Sequence, residues 1–185
     1  MKAPLRIETA RLILRPPHAD DATSIFERYA GDPDVTRYLG WPRHHSVEQT
    51  EGFVHFSAQE WARWPAGPYL IFSRDGGELL GGTGFGFQTR RDAMTGYVLA
   101  RDAWGQGYAT EVLAALVDLA PSLGISRLRA LCHPEHRPSQ RVLEKCGFVR
   151  DDTWVEFVEF PNLEPGTQLA ALCFVRVVSD GGRNK

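Results

Sequence analysis

The chain has few of the features that mark secreted, metal-binding or membrane proteins. Its 185 residues include only three cysteines, Cys132, Cys146 and Cys173, and no Cys-x-x-Cys pair. An odd number of cysteines without that spacing argues against a disulfide framework and against a zinc site. No apolar run is long enough to cross a bilayer, and the polar start Met1–Arg6 is unlike a signal peptide. We therefore expect a cytoplasmic protein with no membrane partner.

An excess of charge of one sign is also lacking. Lysine and arginine number 21 against 23 aspartate and glutamate residues, and the arginines are scattered along the chain. Without a basic tract, a nucleic-acid partner is not expected. The length and a hydrophobic content of 43% suit one sizeable core. We predict a single domain over residues 8–178, followed by a flexible tail at 179–185, in a monomer or homodimer.

A glycine motif, Trp104-Gly-Gln-Gly-Tyr-Ala-Thr-Glu111, lies between a predicted strand at Tyr97–Ala100 and a predicted helix at Gly107–Leu123. The first amides of a helix have no partner within the helix, and they carry a partial positive charge, so this turn can bind a phosphate through its main chain. No Gly-Lys-Ser/Thr follows, which excludes a Walker loop, and the dinucleotide fingerprint is incomplete. A tight turn that only packs the helix against a sheet is the alternative interpretation.

The rest of the chain alternates between strand and helix patterns. Ser46-Val-Glu-Gln49 resembles a capping box for a helix that runs to Trp64, and Asp75-Gly76-Gly77 indicates a hairpin. Four glycines within the second hairpin strand favour close packing over ligand contact: Gly81, Gly82, Gly84 and Gly86. Later elements are predicted as a strand at Arg127–Cys132, a helix at Ser139–Cys146, and strands near 148–160 and 169–177.

Four motifs in order resemble the Gcn5-related N-acetyltransferase (GNAT) superfamily, in the branch typified by the ribosomal-protein N-terminal acetyltransferases. They are Glu8–Arg15, Gly96-Tyr97, the glycine motif, and Ser139 through Gly147-Phe148. The resemblance spans about Glu8 to Val177. It implies a mixed α/β fold with a central, mostly antiparallel sheet of about seven strands, flanked by helices. The strands at Met94 and Arg127 would form a parallel pair whose carboxyl ends splay apart.

The resemblance implies an acetyl-CoA-dependent N-acetyltransferase that acts by direct attack of a primary amine, on a protein N-terminus or a small molecule. The pantetheine arm of the co-substrate would pair with the strand before the glycine motif, and the pyrophosphate would bind the motif itself. An amide of Leu99 or Val98 would stabilise the oxyanion. The cofactor-binding residues are then Tyr97, Val98, Leu99, Trp104, Gly105, Gln106, Gly107, Tyr108, Ala109, Thr110 and Ser139.

The chain departs from its relatives at three positions of the implied catalytic site. Met94 stands where many members have an acid, Leu143 where many have a tyrosine that protonates sulfur, and His136 where many have an asparagine. Ser139 is retained and is our candidate for a group near the thiol, with a helix N-cap as its alternative role. His136 is the second catalytic candidate because it can titrate near neutral pH, and an ordinary surface histidine is its alternative.

Other candidates remain open at this stage. Further bases are His133, Glu135, Glu48, Glu51 and His55. Arg101, Arg137 and Arg141 are candidates for phosphate contacts, and Tyr38, Trp41, Trp61 and Trp64 form either a pocket wall or core. No metal is predicted, since His44-His45 has no third ligand at a convincing spacing. Without the usual acid and tyrosine, a non-catalytic acyl-CoA-binding module is the alternative function, and a nucleotide-binding protein is a third possibility.

Overall fold

The computed structural model describes residues 1–178, which form nine β-strands and five α-helices joined by short 3₁₀ and π-helical turns. The tail predicted at 179–185 lies outside the described residues. The strands are β1 (Ile7–Glu8), β2 (Leu12–Arg15), β3 (Pro68–Ser73), β4 (Leu79–Phe87), β5 (Asp92–Leu99), β6 (Arg127–Cys132), β7 (Val149–Arg150), β8 (Glu156–Glu159) and β9 (Gln168–Val177). The helices are α1 (Ala22–Ile25), α2 (Pro33–Thr36), α3 (Val47–Arg63), α4 (Tyr108–Leu119) and α5 (Arg137–Lys145). Within 1–178, none of the helices combines the length and apolarity that a membrane span needs.

The strands form one sheet in the order β1-β2-β3-β4-β5-β6-β9-β7, and β8 pairs with β9 beside this path. Each pair is antiparallel except β5–β6, which is parallel and is connected through α4. This mixed α/β sheet with one parallel pair confirms the predicted fold class. The strand count exceeds the predicted seven because Ile7–Glu8 adds an edge strand and the strand predicted near 148–160 is split. The split occurs at Asp151, whose side chain accepts hydrogen bonds from the amide and hydroxyl of Thr153 and forms a turn.

Helix α4 lies where the sequence predicted a helix, and it has an apolar stripe. Val112, Leu113, Leu116 and Val117 are buried against the sheet. The predicted helix continues to residue 123 only as a 3₁₀ turn, Ala120–Leu123. Pro121 explains this change, since proline has no N–H to continue the α-helical hydrogen bonds.

Two apolar clusters pack against opposite faces of the sheet. One cluster joins α4 and α5 to the sheet, and the other joins α1 and α3 to it. Strand β3 shows the alternation directly, because Leu70 belongs to the second cluster whereas Tyr69 and Ile71 belong to the first. The sheet therefore separates two layers of helices, and a ligand that reaches both layers must pass between strands.

The predicted cap of one helix and the predicted start of another differ from the structure. At α3, the Gln49 side chain accepts a hydrogen bond from the amide of His45 at 2.7 Å, and the Ser46 side chain makes no capping bond, so the predicted capping box is wrong. Helix α5 begins at Arg137, two residues before the predicted start, with His136 at the N-cap and Pro138 in its first turn. The alternative N-cap role of Ser139 is therefore also wrong, and its hydroxyl is available for other contacts.

Candidate active site

Strands β5 and β6 part after a short stretch of pairing. Only three residue pairs join them, from Asp92 with Arg127 to Met94 with Arg129. Beyond Met94, strand β5 runs on to Leu99 along β4, and β6 runs on to Cys132 along β9. The carboxyl half of the parallel pair is therefore open, as the sequence predicted.

The register shows which main-chain groups face this gap. Ala100 donates to the carbonyl of Leu80, and Gln88 donates to the carbonyl of Asp92, so the even-numbered residues of β5 bond to β4. Because the direction of the bonds alternates along an antiparallel pair, the amides of Tyr97 and Leu99 point away from β4 and into the gap. Val98 lies opposite Gly82, and its main chain faces β4.

A cavity of ≈ 930 Å³ occupies the gap and continues between the sheet and α3. At the gap it is lined by Thr95–Val98 of β5, Ala130–Cys132 of β6, and Ser139 and Leu143 of α5. On the other side it is lined by residues of the 38–44 segment, α3 and β8. One continuous space thus connects the strand edges to a chamber on the α3 face, which suits a reaction between two bound molecules.

The glycine loop presents a run of unpaired amides beside the gap. Gly105 and Gly107 both adopt left-handed backbone, at φ 74° and 81°, and Gly107 is the N-cap of α4. The first intrahelical bond is donated by Glu111 to the carbonyl of Gly107. Among residues 1–178, the amides of residues 105–110 donate no hydrogen bond. These six N–H groups belong to exposed or half-exposed residues at a helix N-terminus, and such a run can bind an anion through the main chain.

An arginine from the start of the chain holds this loop in place. Arg11 donates to the carbonyl of Gln106 at 2.9 Å, pairs with Glu111 at 2.7 Å, and covers the ring of Tyr108 at 4.6 Å. Partial burial alone would raise the pKa of Glu111, but hydrogen bonds from Thr9 and Arg11 outweigh it and leave that pKa below its ordinary value. The resemblance included Arg11 in a motif, yet sequence reasoning gave it no role.

Other side chains near the loop support it from the β5 side. Trp104 donates its indole N–H to the carbonyl of Leu99 at 2.8 Å, which ties the loop to the end of β5. Gln106 donates its side-chain amide to the carbonyl of Asp102. Arg101 pairs with Asp32 and Asp34. Its guanidinium therefore holds the loop against the start of α2, and it does not point to the amides of 105–110.

Ser139 meets a tyrosine from β5 at the gap. The hydroxyl groups of Tyr97 and Ser139 lie 2.9 Å apart, and the Tyr97 hydroxyl also lies 3.1 Å from the carbonyl of Ser139. Burial raises the pKa of Tyr97 above its ordinary value, so the phenol keeps its proton. Burial also raises the pKa of the Cys132 thiol, which the Ser139 hydroxyl partly opposes. Both hydroxyls line the part of the cavity between β5 and α5.

His136 lies in an aromatic stack at the end of β6. Its ring stacks on Tyr38 at 4.8 Å, and Tyr38 also contacts His133 at 4.9 Å. Burial, followed by the neighbouring His133, holds the pKa of His136 below its usual range. His136 is therefore a half-buried, neutral imidazole that lines the cavity, and it can accept a proton.

The remaining candidates divide between the cavity and the rest of the surface or core. His133 is buried, and its Nδ1 accepts a hydrogen bond from the amide of Glu135. Tyr38 and Trp41 line the cavity, whereas Trp61 packs on Tyr69 and Trp64 on Phe87 in the core. Four further candidate bases are exposed and do not line the cavity: Glu48, Glu51, His55 and Glu135.

Helix α3 instead turns Phe53, Phe56 and Glu60 toward the cavity. These three residues were missed, although their i, i+3, i+7 spacing is that of one helix face. Within the part of the chain that the structure describes, no group of three metal-ligating side chains is found.

Comparison with known proteins gives a consistent assignment. The family model described as "Acetyltransferase (GNAT) domain" matches residues 11–149. The uncharacterized N-acetyltransferase YoaA of Bacillus subtilis is 35% identical over 148 residues, which cover 78% of this chain and 83% of that protein. A structure of a putative ribosomal-protein-serine acetyltransferase from Vibrio cholerae is 26% identical, with a TM-score of 0.74 over 96% of this chain and 99% of that one.

A structure of RimL, a ribosomal L7/L12 alpha-N-protein acetyltransferase in complex with coenzyme A, shares the fold. Its TM-score is 0.80 at 22% identity, over 95% of this chain and 99% of that chain. The match of the family model over most of the chain and the identity to YoaA show that this protein belongs to the acetyltransferase (GNAT) domain family of acyltransferases.

Proposed function

We propose that the protein is an acetyl-CoA-dependent N-acetyltransferase that transfers an acetyl group to a primary amine by direct attack. The observation that carries this proposal is the open edge of β5 leading to a run of six unpaired amides at the start of α4. Coenzyme A has the matching chemistry, because its diphosphate accepts hydrogen bonds and its arm carries amides that can pair like a strand.

The main chain accounts for the binding of the co-substrate. The amides of 105–110 bind the diphosphate, and the exposed edge of β5 at Tyr97 pairs with the pantetheine arm. The thioester then lies beside Leu99, whose amide faces the gap and donates to the oxyanion that forms on attack. Val98 lines the cavity but bonds to β4, so we assign the oxyanion contact to Leu99.

The side chains at the gap account for the proton transfers. An amine attacks only as a free base, and a neutral His136 accepts the proton that the nitrogen loses. The new N–C bond forms, the C–S bond breaks, and the electron pair leaves on sulfur. The hydroxyl of Ser139 donates a hydrogen bond to this thiolate, while Tyr97 donates to Ser139 and keeps that hydroxyl oriented.

Release of free thiol tests the proposal directly. The protein is incubated with acetyl-CoA and a panel of primary amines and N-terminal peptides, and thiol is followed by colorimetry. We expect time-dependent thiol release that requires both the amine and the protein. Saturable acetyl-CoA binding without turnover on any acceptor would overturn the proposal in favour of an acyl-CoA-binding module.

A further inference from the structure

The half of the cavity on the α3 face has aromatic walls. We call this half the aromatic chamber, and it is lined by Tyr38, Trp41, Phe53, Phe56, Phe157 and Phe160. These residues come from three separate parts of the chain: the segment after α2, helix α3, and the segment around β8. Aromatic side chains hold flat apolar groups by stacking and edge contacts.

Few side chains cover the sheet beneath the chamber, although Met94 and Val98 lie opposite two of its glycines. Four glycines on one face of the sheet line the cavity: Gly82, Gly84 and Gly86 of β4 and Gly96 of β5. Gly84 and Gly96 lie directly opposite each other. A Cβ placed on Gly96 would meet no atom within 4 Å. The predicted packing role holds for Gly84, where a Cβ would lie 2.7 Å from the backbone of Pro68. Together these glycines make a flat floor of peptide groups under the chamber.

The charges that line the cavity are few and negative. Among residues 1–178, no lysine or arginine lines it, and the acids that do are Glu60 and Glu159. Glu159 accepts a hydrogen bond from the amide of Gly166. The carboxylate of Glu60 has neither a hydrogen bond nor an ion pair with any group in residues 1–178. Burial and the neighbouring His45 lower the pKa of His44, so this lining histidine is neutral as well. Such a lining attracts a cation and repels a phosphate or carboxylate.

Two phenylalanines mark the mouth of the chamber. Phe56 of α3 is 51% exposed, and Phe157 of β8 is 63% exposed, yet both line the cavity. Large exposed aromatic side chains at one opening indicate a surface that an apolar molecule covers. Their position on two different elements places the opening between α3 and β8.

From these features we propose that the acceptor is a small aromatic amine, namely a primary amine on a short aliphatic arm attached to a planar ring. This inference rests on the proposed function and specifies its acceptor. The ring lies between the glycine floor and the aromatic walls, and Glu60 attracts the ammonium group as it enters. The ammonium group releases one proton to solvent, the free amine attacks the thioester at the gap, and His136 accepts the second proton that the nitrogen loses.

A comparison of amine substrates tests the proposal. The values of kcat/KM are measured by thiol release for phenethylamine, tryptamine, ethanolamine, putrescine and a short peptide with a free N-terminal serine. We expect the two aromatic amines to exceed the others by about tenfold or more, as burial of a ring in a matching pocket allows. A preference for the peptide or for the polar amines overturns the acceptor assignment but leaves the N-acetyltransferase function intact. Failure of every amine overturns the proposed function itself.

Variants at the mouth give a second readout. Phe56→Ala and Phe157→Ala remove exposed side chains, so the fold is retained, and each should raise the KM for phenethylamine about five- to tenfold. Leu5→Ala is the matched control, because Leu5 is 68% exposed and does not line the cavity. The KM for acetyl-CoA should stay unchanged in all three. An unchanged phenethylamine KM in both phenylalanine variants contradicts the proposal.

Discussion

At the scale of single residues, we propose that side chains from other elements take the roles of the missing acid and tyrosine. Leu143 is buried and lines the cavity, so an apolar side chain stands where many relatives have a tyrosine. A phenol is still present near α5, because Tyr97 reaches Ser139 from β5. Met94 likewise places an apolar side chain where many relatives have an acid. The neutral imidazole of His136 lines the cavity from the end of β6.

The hydroxyl pair leads to a first prediction. Tyr97→Phe should lower kcat about three- to tenfold and Ser139→Ala more strongly, with the KM for acetyl-CoA unchanged, because only the bond to the departing sulfur is affected. Steady-state kinetics of both variants and of the double variant provide the test. The double variant should be no slower than Ser139→Ala, since Tyr97 acts through Ser139. A Ser139→Ala variant with normal kcat and a lower melting temperature would assign the hydroxyl to folding alone.

The burial of His136 predicts a particular pH profile. Because burial lowers the pKa of His136, the base is protonated only at acidic pH, below the ordinary value of 6.5. The logarithm of kcat/KM for the amine should therefore rise with slope two against pH in the acidic range, where the amine and His136 both lose a proton. Above the pKa of His136 the slope should be one. In His136→Gln the slope should be one throughout. A slope of two retained in His136→Gln would point to another base.

At the scale of elements, the loop before α4 depends on the conformation of its glycines. A side chain at Gly107 would force a residue with a Cβ into left-handed backbone, at a cost of about 1–2 kcal/mol, and would shift the amides that follow. Gly107→Ala should weaken CoA binding at least about tenfold by calorimetry, as the loss of preorganised donors predicts.

Gly124→Ala is the matched control for that variant. Gly124 has nearly the same backbone, at φ 78°, and ends the turn after α4 with no atom within 4 Å of an added Cβ. Both variants should lose similar stability, but only Gly107→Ala should lose affinity. Equal affinities for CoA would remove the glycine loop from the binding site.

The glycine loop and helix α3 show what the sequence could and could not predict. The glycine loop was recognisable because conformation and helix start are encoded locally, by residues next to each other in the chain. Arg11 was not assigned, since its contact with Gln106 depends on how two distant segments pack. On α3 the face with Phe53, Phe56 and Glu60 had the correct spacing, but only the packed structure shows which face meets the cavity.

At the scale of the whole molecule, the gap between β5 and β6 exposes backbone groups with which a ligand can pair. A ligand that pairs with both edges should stabilise the fold by mass action, by about 2.7 kcal/mol at a hundredfold excess over Kd. For a chain of this size we expect a rise in melting temperature of roughly 5–10 °C with CoA. ATP and NAD should give a much smaller shift, and equal protection by them would indicate a nucleotide site instead.

Amide hydrogen exchange locates that stabilisation within the sheet. The amide of Tyr97 points into the gap and should exchange slowly only when CoA is bound. The amide of Val98 bonds to β4 and should be protected in both states. Exchange at Tyr97 that is already slow without CoA would mean that the gap is closed in solution.

The pairing of Arg11 with Glu111 has one further consequence. A carboxylate in the first turn of α4 would repel an incoming diphosphate, but Arg11 neutralises it and leaves the amides as the source of attraction. Hydrogen bonds from amides act over about 3 Å, well inside the distance of about 8 Å over which dissolved ions screen charge. The affinity of this loop for its anion should therefore persist at high ionic strength, where a site built from a cluster of surface lysines would lose its ligand.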